Sequence, residues 1–165
     1  MKTTTALHSI PQSSVISEDF GRIDFLDSFM VRTSLPGDVD KFTTEVFRTP
    51  RWVDFLMNLR NKIVGVLGFA SAEDKVGEEA AYYPVGSKAV YFTVIARNEN
   101  EIVISEEDKH LNFRASVLLE RENGISKIYV TTLVHYNNGW GRVYFFFIKP
   151  FHKLIIRSLL KKLAD

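Results

Sequence analysis

Hydrophobic and polar positions along this 165-residue chain change their period twice, and each change marks a new kind of element. From Arg22 to Thr33 they alternate. Ile23, Phe25, Phe29 and Val31 fall to one side, with Arg22, Asp24, Ser28 and Arg32 largely on the other, which predicts a first strand with one wet face. Asp24 and Asp27 lie on opposite faces of it, which leaves one of them able to look inward. Leu35-Pro36-Gly37 turns the chain, and Asp38 is placed to cap a helix by accepting from backbone amides ahead of it. Val39, Phe42, Val46 and Phe47 then make a short amphipathic helix. It ends near Thr49, because the residue before Pro50 is pushed out of helical geometry. Pro50 opens a second short helix with Trp52, Phe55, Leu56, Leu59, Ile63 and Val66 as its apolar stripe.

Residues 70–87 are acidic and aperiodic, as in an exposed loop. Strand patterns return in 88–97, 101–105, 110–122 and 125–136, and Asn123-Gly124 between the last two is a strong hairpin signal. The final stretch, Gly139 to Asp165, reads as one long helix. Val143, Tyr144, Phe147, Ile148, Phe151, Leu154, Ile155 and Leu159 form its expected apolar face, with Arg142, Lys149, Lys153, Arg157 and Lys161 opposite. Pro150 removes one amide from this helix and is expected to kink it.

Strands and helices segregated in this order indicate an α+β fold. The expected architecture is a curved antiparallel sheet of five to seven strands wrapped around the long C-terminal helix, with the two short helices after the first strand closing one end. Residues 1–21, rich in Ser and Thr and broken by Pro11, read as an N-terminal lead-in, and residues 22–165 as a single domain.

Composition narrows the function classes. Apolar residues make up 45% and charged residues 25%, as in ordinary globular proteins. The 13 Phe suit either an aromatic core or a lined pocket. Net charge is +1, but residues 139–165 hold six Lys or Arg against one Asp, so a basic helix sits beside an acidic body and no bias toward nucleic acid emerges. With no cysteine there is no disulfide, thiolate nucleophile or Cys-ligated metal. The first residues lack an apolar signal core, and no apolar run is long enough to span a bilayer, so a cytoplasmic protein is expected.

Three strings, WVDFLMNLRNKIVGVLGF, EDKHLNFRASVLLE and VTTLVHYNNGWGRVYFFFIKPFHKLIIRSLLKKL, resemble the bacterial domain of unknown function 2867 family. That family sits within the START and birch-pollen-allergen-like helix-grip superfamily, also called SRPBCC or polyketide cyclase/lipid transport-like. The resemblance runs from about Asp24 to Leu163. It implies the helix-grip fold and a deep, mainly apolar cavity between sheet and terminal helix, and it carries over no catalytic residues.

Candidate chemistry is sparse. Four histidines, at 8, 110, 135 and 152, show no metal-ligand spacing, so neither a metal nor a cofactor is expected. His110, Arg114 and His135 lie on strands whose apolar sets are Leu111, Phe113, Ala115, Val117 and Leu119, and Ile128, Val130, Thr132, Val134 and Tyr136. If those sets meet the helix, all three point away from the cavity. Glu106-Glu107-Asp108 falls in a turn, where solvated acids are usual. An enzyme of the polyketide cyclase/hydrolase-like type would instead need Tyr91, Arg97, His110, Arg114 or His135 to converge. The expectation favoured by the pleat is a non-enzymatic binder of a small hydrophobic or amphipathic molecule. Phe113, Ala115, Thr132, Val134, Phe147, Phe151 and Ile155 are its expected lining, with Thr132 and Tyr136 as polar handles. The basic side of the last helix admits three readings: a solvated face, a weak contact with an anionic membrane surface, or a homodimer interface.

Overall fold

The structure is a computed structural model that describes residues 4–48, 61, 65, 80–89 and 92–165. Seven strands form one open antiparallel sheet: β1 (Thr5–Leu7), β2 (Phe25–Thr33), β3 (Lys88–Ala89), β4 (Phe92–Arg97), β5 (Glu101–Glu107), β6 (Leu111–Glu122) and β7 (Ile125–Tyr136). Their spatial order is β1-β2-β7-β6-β5-β4-β3, so the first long strand closes against the last. Two helices accompany the sheet among the described residues: α1 (Val39–Phe47) and α2 (Gly139–Lys161). Of the second short helix expected after Pro50 only Asn61 and Gly65 are described, both helical, and its apolar stripe lies outside the described residues.

Local chemistry accounts for the main boundaries. The Asp38 carboxylate accepts from the Lys41 amide at 2.8 Å and caps α1, as its position predicts. At the β6–β7 hairpin Asn123 and Gly124 both adopt positive φ, 52° and 79°, the backbone that a two-residue turn between twisted strands requires. The pattern over 88–97, expected as one strand, is two. Lys88 pairs with Thr93 and Ala89 with Phe92, so the chain reverses on itself there. A register shift between Val94 and Ala96 adds a bulge, which bends this edge of the sheet.

One face of the sheet carries the main core. Phe29, Val31, Val94, Ile102, Ile104, Val117, Ile128 and Val130 pack there with Val39, Phe42 and Val46 of α1 and with Ile156, Leu160, Leu163 and Ala164 from the end of the chain. Full burial of each large aliphatic side chain contributes about 1.5–3 kcal/mol. α1 lies against β5 and β6, and α2 against β2 and β7. The C-terminal end of α2 is further tied by Asp165, whose carboxylate accepts from the Ser34 amide at 2.8 Å.

The other face is not left to solvent. Residues 10–20, expected as a loose lead-in, pack across it: Ile16 is fully buried with Val103 and Leu133, and Ile10, Val15 and Phe20 surround them. The buried Glu101 carboxylate fixes this segment by accepting from Ser14 Oγ at 2.5 Å and from the Val15 amide at 2.7 Å. Leu26 and Leu133 supply the apolar surface for it, which explains why β2 and β7 lack a fully wet face.

Candidate functional site

On the core face of β2, Phe25, Asp27, Phe29 and Val31 share one side of the pleat. The register sets Phe25 beside Val134 and Asp27 beside Thr132 of β7, and continues Val134 to Phe113 and Thr132 to Ala115 on β6. The result is an apolar wall of Phe25, Phe113, Ala115 and Val134 around two polar side chains. Asp27 and Thr132 are both buried, and Asp27 Oδ2 and Thr132 Oγ1 have no hydrogen-bond partner in the protein.

α2 supplies the lid of this wall. Asn138 caps it by accepting from the Gly141 amide at 3.0 Å. Gly141 then sits so close to the preceding turn that a Cβ on it would lie 2.0 Å from the His110 carbonyl oxygen. That close seat sets the position of the helix N-terminus. One turn on, the Phe145 ring packs tilted against Phe25 at 4.8 Å between ring centroids and lies 6.0 Å from Tyr136. Seven residues further, His152 brings Nε2 to 3.3 Å from Asp27 Oδ2, its ring edge-on to Phe25. The helix runs unbroken through Pro150.

The face of α2 that meets the sheet is therefore not the expected one. Phe145, His152, Ile156 and Leu160 turn inward, and of the expected face Leu159 is buried with them, whereas Val143, Phe147, Phe151 and Leu154 are exposed, Phe147 at 66% and Phe151 at 49%. Apolar residues extend around more than half of this helix, so periodicity alone leaves its rotation undetermined. The tight seat of Gly141 and the buried cluster of Ile156, Leu160, Leu163 and Ala164 decide it. The row opposite the expected apolar face is also not simply solvated: Lys149 Nζ lies 5.0 Å from the Phe25 ring centroid, and the Arg157 guanidinium 5.2 Å from that of Phe29.

Among the residues expected to line a pocket, Ala115, Thr132 and Val134 are buried on the wall. Phe113 and Tyr136 are half-buried beside it, with Phe113 5.3 Å from Phe92, and Ile155 is half-buried on α2. Burial and the Asp24 carboxylate push the Tyr136 phenol above its ordinary pKa. Of the five groups that an enzyme was expected to need, the four described ones do not converge. His110 joins Asn138 at the start of α2. His135 meets the Arg22 carbonyl and Asp24, and Arg114 donates to the carbonyls of Ile16 and Glu18, both on the outer face. Arg97 grips Asp40 of α1, and Tyr91 lies outside the described residues. The pair that does face the core, Asp27 with His152, combines a carboxylate that strand parity marked as a candidate with a histidine that the expected helix face excluded.

A separate groove of about 760 Å³ lies near the β4–β5 turn and the end of β6, between Ser13, Asn100 and Glu120. Glu120 there is already engaged by Ser13 and Tyr129. No group of three or more His, Asp or Glu among the described residues is arranged to hold a metal ion, and no described helix is long and apolar enough to cross a membrane.

An antiparallel sheet gripping a long C-terminal helix on one face is the helix-grip fold. Residues 20–159 match the family described as "Protein of unknown function (DUF2867)", and the chain belongs to that family. Among solved structures it is similar to Ara h 8.0201, at 15% identity over 84% of this chain and 98% of that one, with a TM-score of 0.37. It is also similar to CalU16 from Micromonospora echinospora, at 12% identity over 84% of this chain and 85% of that one, with a TM-score of 0.35. No curated protein matches the chain.

Proposed function

We propose that this protein holds a small hydrophobic or amphipathic molecule between the sheet and α2, without transforming it. The observation that carries the reading is the registered pair Asp27 and Thr132, each with a buried polar atom unsatisfied by the protein, set in a wall of Phe25, Phe113, Ala115 and Val134. Leaving such an atom unpaired costs about 1–3 kcal/mol. A ligand hydroxyl or N–H donating to Asp27 Oδ2 recovers that cost, while the ligand's apolar body covers the aromatic wall. Few polar groups in a largely apolar surround is the usual composition of a small-molecule site. Native mass spectrometry of freshly purified protein tests the reading. A bound small molecule is expected in the wild type and absent from Asp27→Asn and from Ala115→Phe, which fills the wall. Wild-type protein that carries nothing and does not enhance the fluorescence of an added anilinonaphthalene sulfonate probe would sink it.

One observation favours a second reading, an enzyme of the polyketide cyclase/hydrolase-like type acting on a hydrophobic substrate. His152 within 3.3 Å of a buried carboxylate is the arrangement of an oriented general base. The two readings separate on the fate of the ligand. A binder returns it unchanged, whereas an enzyme yields product in the wild type and accumulates bound substrate in His152→Asn.

A further inference from the structure

Three cations of α2 stand on its sheet side, over the strand that carries Asp27. Lys149, Lys153 and Arg157 follow at steps of four and make one row along the helix. Beneath them Phe25, Asp27 and Phe29 are alternate residues of β2 on one side of the pleat. Lys149 Nζ and Lys153 Nζ share the Phe25 ring, 5.0 and 6.0 Å from its centroid, and the Arg157 guanidinium lies 5.2 Å from that of Phe29. The cations thus bracket Asp27 along the strand. None of the three forms an ion pair with a carboxylate among the described residues, and α2 contains no Asp or Glu. Three positive charges therefore face one buried carboxylate, and the surplus is what an added anion would balance.

Asp27 and Thr132 narrow the chemistry further. They are registered partners on β2 and β7, and both are buried with a polar atom unpaired. Asp27 Oδ2 needs a donor, whereas the Thr132 hydroxyl is able to give a bond. One hydroxyl lying between them donates to Asp27 Oδ2 and accepts from Thr132 Oγ1, which satisfies both. An ammonium group donates but cannot accept, and it would have to enter beneath three cations.

Resting on the ligand-binding reading, we propose that the molecule held under α2 is a hydroxy acid with an apolar tail. Its hydroxyl lies between Asp27 and Thr132, its carboxylate meets Lys149, Lys153 and Arg157, and its tail crosses Val134 and Phe113. Spacing sets where the two polar groups sit on the molecule. Side chains two residues apart on one face of a strand are about 7 Å apart, so hydroxyl and carboxylate belong at the same end, a few bonds from one another. The tail then runs across the strands, because Phe25, Val134 and Phe113 are successive neighbours in the register.

The test is calorimetric titration of the full chain with 3-hydroxydecanoate, decanoate and decane-1,3-diol. The hydroxy acid is expected to bind at least tenfold more tightly than decanoate, which lacks the hydroxyl, and than the diol, which lacks the charge. Raising salt from about 0.1 M to 1 M should weaken the hydroxy acid and not the diol, as the screening length shrinks. Lys149→Gln with Lys153→Gln is expected to lower affinity for the hydroxy acid at least tenfold and to leave that for the diol unchanged. Lys149 is exposed and Lys153 half-buried, so the circular dichroism spectrum of this variant should match wild type. Equal affinities for acid and diol, or a double glutamine variant that binds the acid as wild type, would remove the anionic head and leave the ligand-binding reading standing. Equal affinities for 3-hydroxydecanoate and decanoate would remove the hydroxyl. If none of the three binds, the hydroxy-acid assignment falls, and mass spectrometry of the freshly purified protein judges the ligand-binding reading separately.

Discussion

Two acid–base pairs lie buried on the same side of this sheet, and they are built to different standards. Asp40 of α1 meets Arg97 of β4 through two parallel bonds, 2.8 and 3.0 Å, and also accepts from the Tyr83 amide at 2.8 Å. Arg97 in turn donates to the Tyr83 carbonyl and stacks on Tyr82 at 3.8 Å. Both carboxylate oxygens are satisfied. Asp27 and His152, under α2, touch only at 3.3–3.4 Å, and Asp27 Oδ2 has no hydrogen-bond partner. The completed pair serves as an anchor, and an unsatisfied buried carboxylate is a net cost by itself; on the proposed ligand-binding reading a bound molecule offsets that cost at Asp27.

Substitution separates the two pairs most sharply at the first. Arg97→Ala strands the Asp40 carboxylate and is expected to cost about 3–5 kcal/mol in urea denaturation, as for other broken buried pairs. A loss under about 1 kcal/mol would show that the pair is hydrated and not an anchor. Gly141→Ala comes next. Its Cβ would collide with the His110 carbonyl, so the start of α2 must move, at about 1–3 kcal/mol. Ligand retention in native mass spectrometry should fall with it, and unaltered retention would detach the site from the seat of the helix.

Acid titration probes the same contrast. Burial raises the Asp40 pKa, but the Arg97 guanidinium and the Tyr83 amide outweigh it and hold the carboxyl below its ordinary 3.8. Its stabilisation is therefore fully present above the unfolded-state value and is lost as pH falls through the lower folded-state value. Melting temperature should drop below about pH 4 in the wild type, and less steeply in Asp40→Asn, whose stability is already reduced at neutral pH. Parallel curves would remove Asp40 from the acid response.

Asp27→Asn is expected to change stability by less than about 1 kcal/mol, since the contact it loses with His152 is long and Oδ2 makes no hydrogen bond, while abolishing ligand retention. A large destabilisation would make Asp27 another anchor. The smallest effect belongs to Phe147→Ser, within about 0.5 kcal/mol and without loss of ligand, because the side chain is exposed.

How much of this was legible beforehand differs between strands and helix. Strand faces were readable because a period of two leaves only two choices: the inward sets of β6 and β7, and the outward His135 and Arg114, stand where alternation puts them. Asn123-Gly124 announced its hairpin through the backbone its turn demands. The rotation of α2 was not readable, since Phe and Leu lie on several of its sides, and with it His152 was missed as the partner of Asp27. The packing of residues 10–20 was equally hidden. Its signal, Val15-Ile16 amid Ser and Thr, is two residues long, and its anchor Glu101 is far away in the chain.

By itself, then, the sequence determined an α+β helix-grip chain with a long basic terminal helix and strand faces sorted by alternation, because these depend on local period, turn chemistry and caps. Only the tertiary structure decided which side of α2 meets the sheet, that the N-terminal segment covers the outer face, and that Asp40 is fully paired while Asp27 is not. Those outcomes depend on contacts between residues about 30 to 125 positions apart, where steric fit at Gly141 and the satisfaction of buried charges select among arrangements that the pattern leaves equal.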